Sequence, residues 1–140
     1  MVSERELSNR LMLRARDVMD RSFRDELDVK ALAKVALVSP AHFIRRFKET
    51  FGETPHRYLQ RRRVERAMFL LRNTDTSVTE ICMDVGFSSL GTFSRTFTEI
   101  VGESPSTYRT RGAFPYVPGC FVKSWVRPSS FGEAPETVDP

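Results

Sequence analysis

The 140-residue chain has two cysteines, Cys82 and Cys120. They are too few and too differently placed for a disulfide framework or a zinc site. Cys82 falls on an apolar helical stripe, where a thiol serves as a small core hydrophobe. Cys120 lies in P-G-C-F-V with no neighbouring histidine or other base to activate a thiolate, so no catalytic residue is assigned. No apolar run is long enough to span a bilayer, and M-V-S-E-R-E-L at the start carries no hydrophobic segment of the secretory kind. The expected setting is the cytoplasm, with no membrane partner, no metal and no cofactor.

Acidic residues are scarce in one region only. From Asp28 to Asn73 there are eleven Lys and Arg against four Asp and Glu, a balance of +7, whereas Thr74 to Gly112 holds three against five, a balance of −2. The formal charge of +4 favours a polyanionic partner, and the basic character belongs to the first region. A hydrophobic content of 40% is enough to bury a core in a chain of one domain's length, or of two very small domains sharing helices.

What is present is a repeat. F-I-R-R-F-K-E-T-F-G-E-T-P-H-R-Y, from Phe43 to Tyr58, returns as F-S-R-T-F-T-E-I-V-G-E-S-P-S-T-Y, from Phe93 to Tyr108. Phe43, Arg45, Phe47, Glu49, Gly52, Glu53, Pro55 and Tyr58 each meet an identical residue. Upstream, Val29, Leu32, Ala33 and Ala36 match Val78, Ile81, Cys82 and Val85 one position out of register, so one turn holds an inserted residue. Two copies at this period do not make a repeat array. They make two similar modules.

The punctuation predicts helices throughout. Leu7, Leu11, Ala15 and Val18 recur at helical spacing and define a first amphipathic helix. Asp28 caps a short helix, and Ser39 with Pro40 starts the next, which carries Phe43, Phe47 and Phe51 on one face. Gly52 suits the left-handed position past a helix end. Thr54 and Pro55 open a longer helix to Asn73, with Tyr58, Leu59, Val64, Ala67, Leu70 and Leu71 inward. Ser77, the turn G-F-S-S, Gly102, Ser104 and Pro105 repeat the same signals. The expected fold is all-α, about seven helices, with two helix-turn-helix subdomains at residues 28–52 and 77–102 joined by a linker helix at 55–73. A linker of that length measures on the order of 27 Å, which suits two recognition helices about one DNA turn apart. The segment 112–140 follows neither period. It carries Phe114, Tyr116, Phe121, Val122, Trp125, Val126 and Phe131, and its apolar stretch Ala113 to Phe131 is expected to lie across the helices or on a partner, with a disordered end.

Residues Leu7 to Arg111 resemble the DNA-binding domain of the arabinose-operon regulator (AraC/XylS) family of bacterial transcription factors. The resemblance rests on S-V-T-E-I-C-M-D-V-G-F-S-S-L-G-T-F-S-R-T-F, on G-E-S-P-S-T-Y-R, and on Y-L-Q-R-R-R-V-E-R-A-M-F-L-L. It implies sequence-specific binding of double-stranded DNA, with recognition helices at Pro40 to Phe51 and Ser89 to Val101 entering successive major-groove segments. Ala41, His42, Ile44 and Arg45 match the base-facing positions of the first helix, with Lys48 nearer the phosphates. Leu90, Gly91, Thr92, Ser94 and Arg95 match on the second. Arg45 and Arg95 are the candidates for reading guanine. Leu90 and Gly91 depart from the family's usual larger or polar residues, and Thr98 stands where it usually has lysine, so the second helix is expected to be the weaker reader, leaning toward phosphate contact and fit to DNA shape. Arg61, Arg62, Arg63 and Arg66 form a cluster that is either a solvated face or a phosphate contact, although Arg63 matches a family position that packs and pairs internally. The resemblance further implies a nucleoid-associated activator, stand-alone without a small-molecule sensor domain, binding as a monomer and working with RNA polymerase. Two alternatives stay open: a protein-interaction regulator with weak DNA specificity, and a DNA-binding module of an alkyl-transfer repair protein.

Overall fold

The computed structural model describes residues 1–111, which form seven helices and no strand. The tail singled out from the sequence, Cys120 included, lies outside the described residues. In chain order the helices are α1 (Glu4–Arg21), α2 (Val29–Val35), α3 (Pro40–Phe51), α4 (Pro55–Asn73), α5 (Val78–Asp84), α6 (Leu90–Val101) and α7 (Pro105–Arg111). The all-helical class and the helix count agree with the sequence reading. Each start has a local cause. Ser3, Asp28, Ser39, Ser77 and Ser89 accept hydrogen bonds from the backbone N–H three residues on, satisfying donors that a helix start leaves unpaired. Thr54 and Ser104 do the same for α4 and α7, through the N–H groups of Arg57 and Thr107. Gly52 and Gly102 stop α3 and α6 at φ of 81° and 97°.

The chain divides into two compact units, Met1–Leu59 and Gln60–Pro140, and the division falls inside α4. In the first unit Met12, Ala15 and Met19 of α1 pack with Leu32, Ala33, Ala36, Phe43, Phe47, Tyr58 and Leu59. The ring of Phe47 lies 5.7 Å from Phe43, 4.6 Å from Phe51 and 5.7 Å from Tyr58. The second unit buries Val64, Ala67, Leu71, Ile81, Cys82, Val85, Phe87, Phe93, Phe97, Ile100, Val101 and Tyr108. Its rings stand in the same relation, with Phe97 5.7 Å from both Phe93 and Tyr108. A buried side chain of this size contributes about 1.5–3 kcal/mol through removal from water.

The repeat is longer than the motif alone indicates. Met12, Ala15 and Met19 of α1 and Val64, Ala67 and Leu71 of α4 are buried at matching positions, fifty-two residues apart. Each unit is therefore a long helix, a helix pair, and the first turns of a further helix carrying a tyrosine.

Two expectations are corrected. The inward face of α1 is centred on Met12, Ala15 and Met19, while Leu7 is 52% exposed. Of the expected stripe, Ala15 is buried and Leu11 and Val18 pack against the core, so Leu7 alone falls outside it. Polar residues share the inward face, where Ser8 and Asn9 hold Arg46 and Asp20 holds the Tyr58 hydroxyl. The arginine cluster of α4 is not one solvated face. Arg61 is buried and donates to Glu65 at 3.0 Å, Arg62 donates to the same carboxylate, and the guanidinium of Arg63 lies 5.8 Å from the Phe87 ring. Leu70, expected inward, is half-buried.

Candidate nucleic-acid interface

Two helix faces, one in each unit, carry the residues marked by the sequence. On α3 the complete burial of Phe43 and Phe47 fixes the rotation of the helix. Ala41, His42, Ile44, Arg45 and Lys48 consequently face solvent. Arg46 sits between the two faces and turns toward α1, donating to Ser8 Oγ at 2.9 Å and Asn9 Oδ1 at 3.0 Å. The outward face thus offers an imidazole, a guanidinium and an ammonium group, with Ile44 and Ala41 between them. Its first turn is closed by Ser39, whose Oγ accepts from the His42 N–H at 3.2 Å.

On α6 Phe93 and Phe97 play the same part. Leu90, Gly91, Thr92 and Arg95 are exposed, and Ser94 is half-buried. This face is poorer in donors. The Thr92 hydroxyl accepts from Ser89 Oγ at 2.9 Å within the cap, and the Thr98 hydroxyl donates to the Ser94 carbonyl at 2.8 Å. Arg95 lies back along the helix, with its Nη1 3.7 Å from where a Cβ on Gly91 would stand. Ser94, Arg95, Thr98 and Glu99 line a shallow open depression there. Beneath the start of α6 the Cys82 thiol donates to the Ser89 carbonyl at 3.5 Å, and burial pushes its pKa up. A buried thiol with a raised pKa is a packing residue that also steadies the cap.

Charged groups behind the faces hold the scaffold. Arg109 donates to the carbonyls of Leu71 and Thr74 at 3.0 and 3.1 Å, satisfying acceptors at the end of α4. Arg72 stacks 4.7 Å from the centroid of the Tyr108 ring. The Tyr108 pKa is raised, first by burial and then by Glu103, against the opposing charge of Arg72. Among the described residues no group of His, Cys, Asp and Glu is placed to hold a metal ion, and no helix is long and apolar enough to cross a membrane.

The sequence reading missed the Arg46 latch and the lane that Gly91 leaves for Arg95. A signal existed for the first. Arg46 matches buried Thr96 in the second copy, a long charged side chain against a short one at a shared position.

A family model described as a helix-turn-helix domain matches residues 32–111. The MmsAB operon regulatory protein of Pseudomonas aeruginosa is 36% identical over 85 residues, which are 61% of this chain and 28% of that protein. An HTH-type transcriptional regulator of Mycobacterium tuberculosis is 42% identical over 78 residues, 56% of this chain and 30% of that protein. The chain spans less than a third of the length of such curated relatives. Among solved structures, an AraC-type transcriptional regulator from Chromobacterium violaceum superposes with a TM-score of 0.70 at 30% identity, covering 77% of this chain and 96% of that one. The DNA-binding domain of AdpA, a global transcriptional factor solved in complex with a target DNA, does so with a TM-score of 0.68 at 31% identity, covering 74% and 96%. By sequence and by fold, the chain belongs to the AraC-type helix-turn-helix family of DNA-binding transcriptional regulators.

Proposed function

We propose that this protein regulates transcription by inserting α3 and α6 into successive major-groove segments of one asymmetric DNA site. The observation that carries this reading is the duplicated frame. Two helices are rotationally fixed by the same buried pair of phenylalanines, and each presents capped first turns and an outward arginine at the matching position, Arg45 and Arg95. A pair of such units in one chain supplies what symmetric regulators obtain from two subunits, so the protein binds as a monomer. Ala41, His42, Ile44, Arg45 and Lys48 form the first contact set, and Leu90, Gly91, Thr92, Ser94 and Arg95 the second. Arg45 reads guanine O6 and N7, while Lys48 neutralises phosphate. Activation through RNA polymerase, in the cytoplasm at the nucleoid, belongs to the same reading.

Selection of bound duplexes from random DNA, followed by footprinting and light scattering on the minimal site, tests the proposal. A non-palindromic motif, a footprint over two major-groove segments and one chain per duplex are expected. A palindromic motif, two chains on the minimal site, or no preferred sequence overturns it.

A further inference from the structure

We propose that the second recognition helix reads thymine through its 5-methyl group, with Leu90 as the residue that determines this preference. The inference rests on the DNA-binding reading above and goes beyond it, assigning the chemistry of one base contact.

The outward face of α6 is short of long polar side chains. The Thr92 hydroxyl accepts from Ser89 Oγ within the cap, the Thr98 hydroxyl donates to the Ser94 carbonyl, Ser94 is half-buried, and Gly91 has no side chain. Arg95 is the one long hydrogen-bond donor of the second contact set. At the front stands Leu90, 41% exposed in a helix whose other large apolar residues, Phe93, Phe97, Ile100 and Val101, are all buried. An isobutyl group neither donates nor accepts a hydrogen bond. Of the base-edge features that the major groove displays, the thymine methyl is the one an apolar side chain complements. Gly91, next to Leu90, adds no bulk that would hold the front of the helix away from the base edges. Only the Arg95 guanidinium approaches the empty position, and it does so at ordinary contact distance.

The contrast with α3 sharpens the assignment. There the matching first helical position is Pro40, and His42, Arg45 and Lys48 supply polar contacts along the face. The first helix thus sets Ile44, exposed to the same 41% as Leu90, among three long polar side chains, whereas the second sets Leu90 beside one guanidinium and the short hydroxyls of Thr92 and Ser94.

The test uses a duplex selected from random DNA and a set of copies in which each thymine in turn is replaced by uracil, which removes the methyl group and leaves base pairing intact. Affinity is measured for the protein and for Leu90→Ala and Leu90→Met. For the unsubstituted protein, one uracil in the segment facing α6 weakens binding about fourfold, the value of burying one methyl group. The Leu90→Ala variant binds thymine and uracil forms equally at that position, and Leu90→Met keeps the difference. Equal binding of thymine and uracil forms by the protein overturns the inference, as does a selected segment without thymine. So does discrimination that persists in Leu90→Ala, because another group then contacts the methyl. In those three outcomes selective DNA binding survives. Failure to select any duplex overturns the DNA reading along with the inference.

Discussion

Tyr58 and Tyr108 occupy the same place in the two units, yet they meet side chains of opposite charge. The Tyr58 hydroxyl donates to Asp20 at 2.6 Å, while Arg72 stacks over the Tyr108 ring. Asp20 and Arg72 are themselves matching residues, fifty-two positions apart like the buried pairs Met12 and Val64, Ala15 and Ala67, Met19 and Leu71. The aromatic frame has been kept, and the polar contacts clamped onto it have been exchanged. Ring packing depends on shape at every surface, so it tolerates little change. A partner for a tyrosine at the edge of the core needs only to be polar and within reach. The recognition faces differ for the same reason. Their side chains are mostly exposed and outside the buried core, so the frame places little demand on them.

The largest effect tests whether the frame is shared. Phe47→Ala and Phe97→Ala each remove a fully buried ring and are expected to cost about 3–5 kcal/mol in urea unfolding. Phe47 has the greater loss, because it also packs 4.6 Å from Phe51, where the second unit has Val101. A cost below ~1 kcal/mol for Phe97→Ala would mean that the second unit does not depend on the frame.

The recognition faces come next. Arg45→Ala is expected to weaken specific binding by about 1–3 kcal/mol and to relax preference at one base pair. Arg95→Ala should cost less, because the second region carries −2 against the +7 of the first, and phosphate neutralisation supplies most of the affinity. Binding curves across salt concentration decide it. A larger loss for Arg95→Ala reverses the ranking of the two faces.

Much of this division was legible in the sequence, and the illegible part lies in side-chain partners, some distant in sequence and some one turn away. Periodic phenylalanines, cap residues and the shared G-E-x-P signal are local, so they showed the helices directly. On α1 only Leu7 was misplaced, because the inner edge of the helix is polar there. Ser8, Asn9 and Asp20 are stabilised by Arg46 and Tyr58, which lie 37 or 38 residues away in sequence. Arg61 was misjudged because its burial depends on a carboxylate one turn later, Glu65. A cluster of arginines on a helix looks the same in sequence whether solvent or a neighbouring acid receives it. The candidate contact residues were legible through resemblance, whereas the cap that holds Thr92 and the bond that holds Thr98 exist only in three dimensions.

The tyrosines provide a smaller and more selective comparison. Tyr58→Phe removes a hydrogen bond to a part-buried carboxylate and is expected to cost about 1–2 kcal/mol. For Tyr108 the effect is a pH dependence. Its folded pKa lies above the unfolded value of 10, so the stabilisation is fully present below pH 10 and is lost as pH rises toward the folded pKa. Thermal melts between pH 8 and 11 should show a decline above ~10 that Tyr108→Phe makes shallower. An unchanged decline in that variant removes Tyr108 as its source.

The smallest expected effect separates the two turns. Leu37 and Gly86 end α2 and α5 with the same closure. Their N–H groups donate to Lys34 and Met83, and those of Val38 and Phe87 donate to Ala33 and Cys82, all at 3.0–3.1 Å. Both residues have positive φ, 60° and 104°. The second turn then holds one more residue, Ser88, before its cap, which places the one-residue insertion seen in the repeat. Glycine adopts this backbone freely, but a leucine in the left-handed region carries a strain of about 1–2 kcal/mol. The Leu37 side chain recovers little of it by packing, being 75% exposed. Leu37→Gly should therefore stabilise the first unit by about 0.5–1 kcal/mol, the relief of strain less the added backbone entropy of the unfolded chain. Gly86→Ala should destabilise the second unit by about the same amount. Denaturant midpoints measured on both variants decide the matter. A loss of stability in Leu37→Gly would show that the leucine makes a contact stronger than its strain, and the two turns would then differ in function as well as in length.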